Sequence, residues 1–135
     1  MLALESLVGR WATTIAMLHP PEAKGDQYCA VDTYRWLPGQ AVLVHEVQAR
    51  MGAKTVNSLE IYTASDAGIV SRNFDSTGAV SDYRAEMADG VWRVEGQTER
   101  FVSTSMDANT IRGLWQLKVD DNWLDWMTVH LERVA

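Results

Sequence analysis

Apolar and polar residues alternate along most of the chain, in short runs separated by turn residues. The clearest run covers residues 109–119, where Ile111 and Trp115 fall on one side and Arg112 and Lys118 on the other. Because successive side chains of a β-strand point to opposite faces, this period of two predicts strands with one apolar face. Turn signals separate the runs and recur mostly at strand-plus-turn spacing: Pro38-Gly39, Asp66-Ala67-Gly68, Ser76-Thr77-Gly78, Asp89-Gly90 and Asp120-Asp121-Asn122.

The pattern predicts an all-β fold of about ten strands joined mostly by short hairpins. An antiparallel up-and-down meander of this length has two hydrogen-bonding edges unless it closes, so we expect a closed barrel. Leu2, Leu4, Leu7 and Val8 predict one short helical turn that lies against an open end of the sheet. The strands are expected at 8–18, 27–37, 41–51, 54–63, 69–75, 79–88, 91–96, 98–105, 109–119 and 123–134.

Strand parity indicates which side chains face the interior of the barrel. The strands at 27–37 and 54–63 show no single apolar face. In the third strand, His45 falls on the apolar side, whereas its neighbour Glu46 should point outward. The other predicted interior faces are Trp11, Thr13, Ile15 and Met17; Leu43, Val47, Ala49 and Met51; Tyr83, Ala85 and Met87; Ile111, Gly113, Trp115, Leu117 and Val119; and Met127, Val129 and Leu131.

Size and charge narrow the function classes. A chain of 135 residues is expected to form a single domain over 1–135. Its formal charge of −6 and its scattered basic residues disfavour nucleic-acid and membrane-surface binding. Cys29 is the only cysteine, which suits a reducing compartment, and no apolar N-terminal signal is apparent, so we expect a cytoplasmic location. Cys29 lies mid-strand, where a small buried hydrophobe is the expected role.

Gly9-Arg10-Trp11, at the start of the first strand, resembles the Gly-x-Trp signature of lipocalins. In that family the Trp closes one end of the barrel, and an Arg or Lys of the last strand packs across it. The resemblance therefore implies that Gly9, Trp11 and Arg133 close the barrel here. Such a contact between a guanidinium and an indole face would tie the two chain ends together.

A broader resemblance covers most of the chain. It rests on three segments, which in chain order are Asn73-Phe74-Asp75-Ser76-Thr77-Gly78, Asp89-Gly90-Val91-Trp92 and Asp120-Asp121-Asn122-Trp123. Together they resemble a bacterial lipocalin-like (calycin) family of unknown function, which implies a fold and no activity.

A further resemblance concerns His130-Leu131, which is similar to the haem-ligand region of nitrobindins. The Gly-rich opening motif of nitrobindins is missing, however, and His130 has outward parity.

No nucleophile elbow, phosphate loop or zinc-protease motif occurs, and three dispersed His with one Cys show no metal-ligand spacing. We therefore expect no cofactor and no metal, with haem disfavoured. His45 is interpreted as a core histidine bonded to a neighbour, or as a polar group that orients a ligand.

The sequence favours a barrel that binds a small apolar or aromatic molecule. The expected lining is Ile15, Met17, His45, Tyr83, Met87, Trp115 and Met127, and a homodimer is left open. One alternative is a cofactorless acid–base enzyme, for which an interior polar cluster with shifted pKa values is expected. Its residue types are supplied by Tyr34, Arg35, Tyr62, Tyr83 and Arg84. The other alternative is a filled barrel, packed with its six Trp, that acts through its surface or as an oligomer.

Overall fold

A computed structural model describes residues 1–135 and consists almost entirely of β-strands. Two short 3-10 helices, Leu2–Leu7 and Pro21–Ala23, are its only helical segments. No helix has the length and apolarity required to cross a membrane. The strands are β1 (Gly9–Met17), β2 (Gln27–Trp36), β3 (Val42–Met51), β4 (Lys54–Ser65), β5 (Gly68–Asp75), β6 (Val80–Ala88), β7 (Val91–Glu95), β8 (Glu99–Met106), β9 (Thr110–Val119) and β10 (Asn122–Arg133).

The ten strands form one closed antiparallel barrel in which each strand pairs with its neighbours in sequence and β1 pairs with β10. The pairing of Trp11 with Arg133 and of Met17 with Met127 closes the ladder, so neither the first nor the last strand has a free edge. The predicted ten-strand up-and-down barrel is confirmed, and so is the N-terminal helical turn. Every predicted strand boundary lies within two residues of the observed one.

The N-terminal 3-10 helix covers one end of the barrel. Its apolar residues Leu4 and Leu7 are buried, and they pack with Trp11 in the main hydrophobic cluster. The indole Nε1–H of Trp11 donates to the backbone oxygen of Leu7 at 2.9 Å. A large buried side chain with its one polar atom satisfied is a stable way to seal an apolar interior.

Arg133 packs on the outer side of the barrel end that the N-terminal helix covers. Its guanidinium carbon lies 4.2 Å from the centroid of the Trp11 ring. The same group donates to the backbone oxygens of Val8 at 2.5 Å, Ser6 at 2.8 Å and Ala108 at 2.8 Å. Gly9 has φ +134°, and a Cβ there would meet the Arg133 side chain and the backbone of the C-terminal residue. A glycine is therefore required for the close approach.

Arg133→Lys is expected to lower the free energy of unfolding by about 1–3 kcal/mol, because an ammonium cannot reproduce a planar fork that donates to three separate carbonyls. Urea denaturation measures the change. Arg112→Lys, on the outer face of β9, is the matched control and should change stability by less than about 0.5 kcal/mol. Equal stabilities of Arg133→Lys and the native protein would contradict the role of the guanidinium.

Cys29 corrects one expectation. The residue is exposed rather than buried. Parity along β2 explains the difference, because Ala30, Asp32 and Tyr34 are the buried residues of that strand and Cys29 belongs to the opposite set. Because Asp32 lies on the inward face, the pattern of apolar residues does not reveal which face of β2 points to the interior.

The barrel wall has a notch between β6 and the hairpin of β7 and β8. β7 is only five residues long, so it pairs with β6 from Arg84 to Ala88 and leaves residues 80–83 with a strand partner on one side only. An open outer cleft of about 1070 Å³ lies over this notch, and both β6 and residues 95–99 contribute to it. The notch brings the interior of the barrel close to solvent.

Candidate functional site

The barrel interior contains a cavity of about 270 Å³ whose lining is mostly apolar, with 16 hydrophobic residues among 23. It is smaller than the outer cleft, which has only five hydrophobic residues among 16, but a mostly apolar concave space with a few polar groups is the usual form of a small-molecule site. Most polar lining residues come from β1–β5, and most bulky apolar ones come from β7–β10. The polar residues are Thr13, Asp32, His45, Ser58, Glu60 and Asn73, with Glu99 on β8. The apolar residues of β7–β10 are Trp92, Val94, Phe101, Ile111, Trp115, Trp126, Met127, Val129 and Leu131, and those of β1–β4 are Ile15, Ala30, Tyr34, Val47 and Tyr62.

The structure brings together most of the lining residues expected from the sequence. Ile15, His45, Tyr83, Trp115 and Met127 line the cavity. Met17 and Met87, which were also expected there, are not among the lining residues. Met17 is the buried last residue of β1, and Met87, near the end of β6, packs against the main hydrophobic cluster.

Two carboxyl groups and one imidazole form the polar wall. His45 Nε2 lies 2.7 Å from Asp32 Oδ2, and His45 Nδ1 lies 2.9 Å from Glu60 Oε1. The neighbouring strands supply these contacts, because His45 of β3 is opposite Tyr34 of β2 and Glu60 of β4. The rings of Tyr34 and His45 stack at 3.9 Å between centroids, with 6° between their planes.

Both ring nitrogens of His45 face acceptors, so both donate only when the imidazole is protonated. Burial by itself lowers the pKa of His45, but the hydrogen bonds and charges of Asp32 and Glu60 outweigh burial and raise this pKa to about 9. At neutral pH His45 is therefore an imidazolium held between two carboxyl groups.

Further donors occupy the carboxyl oxygens of this cluster. The Thr13 hydroxyl donates to Asp32 Oδ1 at 2.6 Å. Glu60 accepts from the Tyr62 hydroxyl at 2.7 Å and from the Ser71 hydroxyl at 2.8 Å. Burial raises the pKa of Glu60, yet the hydrogen bond and charge of His45, with these donors, hold it below its ordinary value of 4.5. Burial and the nearby carboxylates raise the pKa values of Tyr34 and Tyr62, which stay neutral.

A second polar pair lies at the notch. The Tyr83 hydroxyl donates to Glu99 Oε2 at 2.9 Å, and both residues line the interior cavity as well as the outer cleft. Burial, together with the charge and hydrogen bond of Glu99, raises the pKa of Tyr83, so this phenol remains a donor. The ring of Tyr83 packs edge-on against Trp115, with 6.4 Å between ring centroids. Tyr83 and Glu99 therefore separate the cavity from the outside.

The arrangement does not suit a metal or a haem iron. No group of three or more His, Cys, Asp or Glu side chains converges on one point. The two nitrogens of His45 point in divergent directions, each to a carboxylate, so neither has a lone pair for iron. His130 does not line the cavity and lies 3.4 Å from Glu132 Oε1 of its own strand. The residues present do not fit the haem site that the nitrobindin resemblance implied.

Sequence reasoning missed the carboxyl groups of the site. Asp32 and Glu60 lie on the two strands with no single apolar face, and Glu99 begins a strand for which no interior face was assigned. Their side chains are charged, so a search for apolar faces passes over them. The missing apolar face of those two strands was the one sequence signal for an interior polar group. A strand with a carboxylate on its inward face no longer alternates between apolar and polar residues.

No protein-family model matches the chain, and no curated protein matches it either. Several solved structures are similar in fold, among them a mycobacterial protein and a siderocalin. The crystal structure of Rv2717c from M. tuberculosis superposes with a TM-score of 0.71 at 14% identity, covering 100% of this chain and 99% of that one. The siderocalin Ex-FABP has a TM-score of 0.51 at 15% identity, covering 96% of this chain and 74% of that one. At these identities the likeness concerns the fold alone: the chain has a lipocalin-like β-barrel fold.

Proposed function

We propose that this protein binds a small, mainly aromatic molecule inside the barrel. The observation that carries the proposal is an interior cavity of about 270 Å³ with an aromatic wall, formed by Trp92, Phe101 and Trp115, and a hydrogen-bonded polar wall, formed by Asp32, His45 and Glu60. Ligand sites usually combine an apolar lining with a few fixed polar groups in this way. The volume lies just below the usual range of about 300–1,000 Å³ for ligand pockets, so it suits a small molecule of one or two rings.

Ligand binding within this fold has a precedent among the similar structures. The siderocalin Ex-FABP functions through dual ligand specificities. The main support for ligand binding is nevertheless this chain's own cavity. Burial of a ligand between Trp115 and the polar wall would contribute about 25 cal/mol for each Å² of apolar surface removed from water.

An acid–base enzyme is the second candidate, and the interior cluster with shifted pKa values favours it. The hydrogen bonds of that cluster argue against it. A general acid or base must reach the proton that it transfers, whereas both nitrogens of His45 and all four oxygens of Asp32 and Glu60 already have protein partners. The cluster fits a fixed polar surface better than a proton donor.

The first test is calorimetric titration of the native protein with naphthylmethanol, a neutral two-ring probe. We expect saturable binding at one site per chain. Trp115→Ala should weaken this binding roughly tenfold, because it removes apolar contact worth about 1–2 kcal/mol. The ring of Trp115 lies 5.4 Å from that of Phe101, so the substitution opens the aromatic wall itself.

Trp123→Ala is the matched control for this titration. Trp123 lies outside the cavity, with the guanidinium of Arg100 4.2 Å above its ring. Its removal should leave the affinity for naphthylmethanol unchanged. Absence of any binding to the native protein, or equal losses in both variants, would overturn the proposal.

A further inference from the structure

The charged groups on the cavity wall are unbalanced. The lining contains three carboxyl side chains, Asp32, Glu60 and Glu99, and no Lys or Arg. His45 is the one cation among them. With all three carboxyls ionised, the formal charge of the lining is −2. A low-dielectric cavity with this imbalance repels anions and attracts cations more strongly than a surface patch of the same charge would.

Hydrogen bonding distinguishes Glu99 from the other two carboxylates. Both oxygens of Asp32 and both oxygens of Glu60 accept hydrogen bonds from the protein. Glu99 accepts from the Tyr83 hydroxyl at Oε2, and no side-chain hydrogen bond of the structure uses its Oε1. A carboxylate oxygen without a donor beside an apolar cavity is an acceptor for a ligand.

The surroundings of Glu99 suit an organic ammonium group. Glu99 lines both the cavity and the outer cleft, so a charged group beside it keeps access to water while an attached ring extends inward. The rings of Tyr83 and Trp115 lie next to each other at this position, and aromatic faces attract ammonium groups. The apolar wall of β7–β10 would then contact the rest of the molecule.

We propose that the cavity selects an amphipathic organic cation: an aromatic or apolar body carrying an ammonium group that pairs with Glu99 at the notch. This inference rests on the proposed function, because it names the class of ligand for the same cavity. It excludes fatty acids and other carboxylates as preferred ligands, since these would place a like charge beside Glu99, Asp32 and Glu60.

The experiment compares three probes with one aromatic body and different charges: naphthylmethylammonium, naphthylmethanol and naphthoate. Calorimetric titration of the native protein at neutral pH should give the highest affinity for the ammonium, a lower affinity for the alcohol and the lowest for the carboxylate. One paired charge in such a setting should give the ammonium at least roughly a tenfold advantage over the alcohol. Equal affinities for the three probes would overturn the cation inference and leave the proposed function standing. No binding of any probe would overturn both.

Glu99→Gln tests whether the charge of Glu99 causes the preference for the ammonium probe. The amide oxygen still accepts from Tyr83, so the variant removes charge with little change of shape. We expect it to lose most of the roughly tenfold preference for the ammonium while its affinity for naphthylmethanol is kept. Glu86→Gln is the matched control, because it makes the same change of net charge at an exposed site of β6 that lines neither the cavity nor the outer cleft. A native preference that survives in Glu99→Gln, or falls equally in Glu86→Gln, would assign the effect to the overall negative charge and overturn the inference.

Discussion

Replacing Trp11 by alanine is expected to lower the free energy of unfolding by about 3–5 kcal/mol. Trp11 has no exposed surface and belongs to the main hydrophobic cluster together with Leu4 and Leu7. Its loss would leave a void under the N-terminal helix, and that helix would lose the indole donor to the Leu7 oxygen. The Arg133 guanidinium would also lose the ring that it covers. Urea denaturation followed by far-UV circular dichroism measures the change.

Trp123→Ala is the control for this prediction. Its indole lies on the outer face of β10, where Arg100 and Lys118 approach it from solvent. Removing it should cost no more than about 1 kcal/mol, which is the range of exposed cation–π contacts. A loss below about 1 kcal/mol for Trp11→Ala as well would mean that Trp11 is not what closes the barrel.

The fold was predictable because most strands follow one rule. In β9 and β10, apolar inward residues such as Ile111 and Leu131 alternate with polar outward ones such as Arg112 and Glu132. A single apolar face fixes the register, since a slip of one residue would turn that whole face to solvent. Short turns between successive strands then leave an up-and-down barrel as the arrangement that closes the sheet.

The candidate site was not predictable by that rule, because its strands break the alternation. β4 turns Glu60 and Tyr62 inward, while Leu59 and Ile61 face outward and Leu59 is 38% exposed. In the middle of β4, polar residues therefore face the interior and apolar residues face outward. A carboxylate on the inward face is stabilised only by its partners on neighbouring strands, above all by His45. The pattern of a single strand does not show which residues those partners are. Local departures from an otherwise consistent pattern are expected at functional positions.

The stability of the protein is expected to fall as pH rises from about 6.5 to about 9, because over this range His45 loses its proton in the unfolded chain while the folded protein still holds it. In the folded protein the pKa of His45 is about 9, against 6.5 as its ordinary value. A group whose pKa is raised by folding contributes stability that is complete below the ordinary pKa and is lost on passing the folded one. A difference of this size corresponds to about 3 kcal/mol.

Glu60 has the opposite dependence. Its pKa in the folded protein lies below the ordinary value of 4.5, so its contribution is present above that pH and declines under more acidic conditions. The cluster therefore stabilises the barrel most between about pH 4.5 and 6.5. Urea denaturation at a series of pH values should show this maximum, with a decline on the alkaline side that follows deprotonation of a single group.

His45→Gln tests the origin of the alkaline decline. It leaves the carboxyl groups of Asp32 and Glu60 inside the barrel without the cation between them, and removing one partner of a buried ion pair typically costs about 3–5 kcal/mol. We expect that loss near pH 6, together with disappearance of the decline between about pH 6.5 and 9. His19→Gln, in the loop between β1 and β2, should behave as the native protein does. If the decline persisted in His45→Gln, its source would lie in another group, and His45 would not be the imidazolium that holds Asp32 and Glu60 together. Because Asp32 and Glu60 form the polar wall of the cavity, the same substitution should also alter ligand binding, which couples the stability of the barrel to the charge of its site.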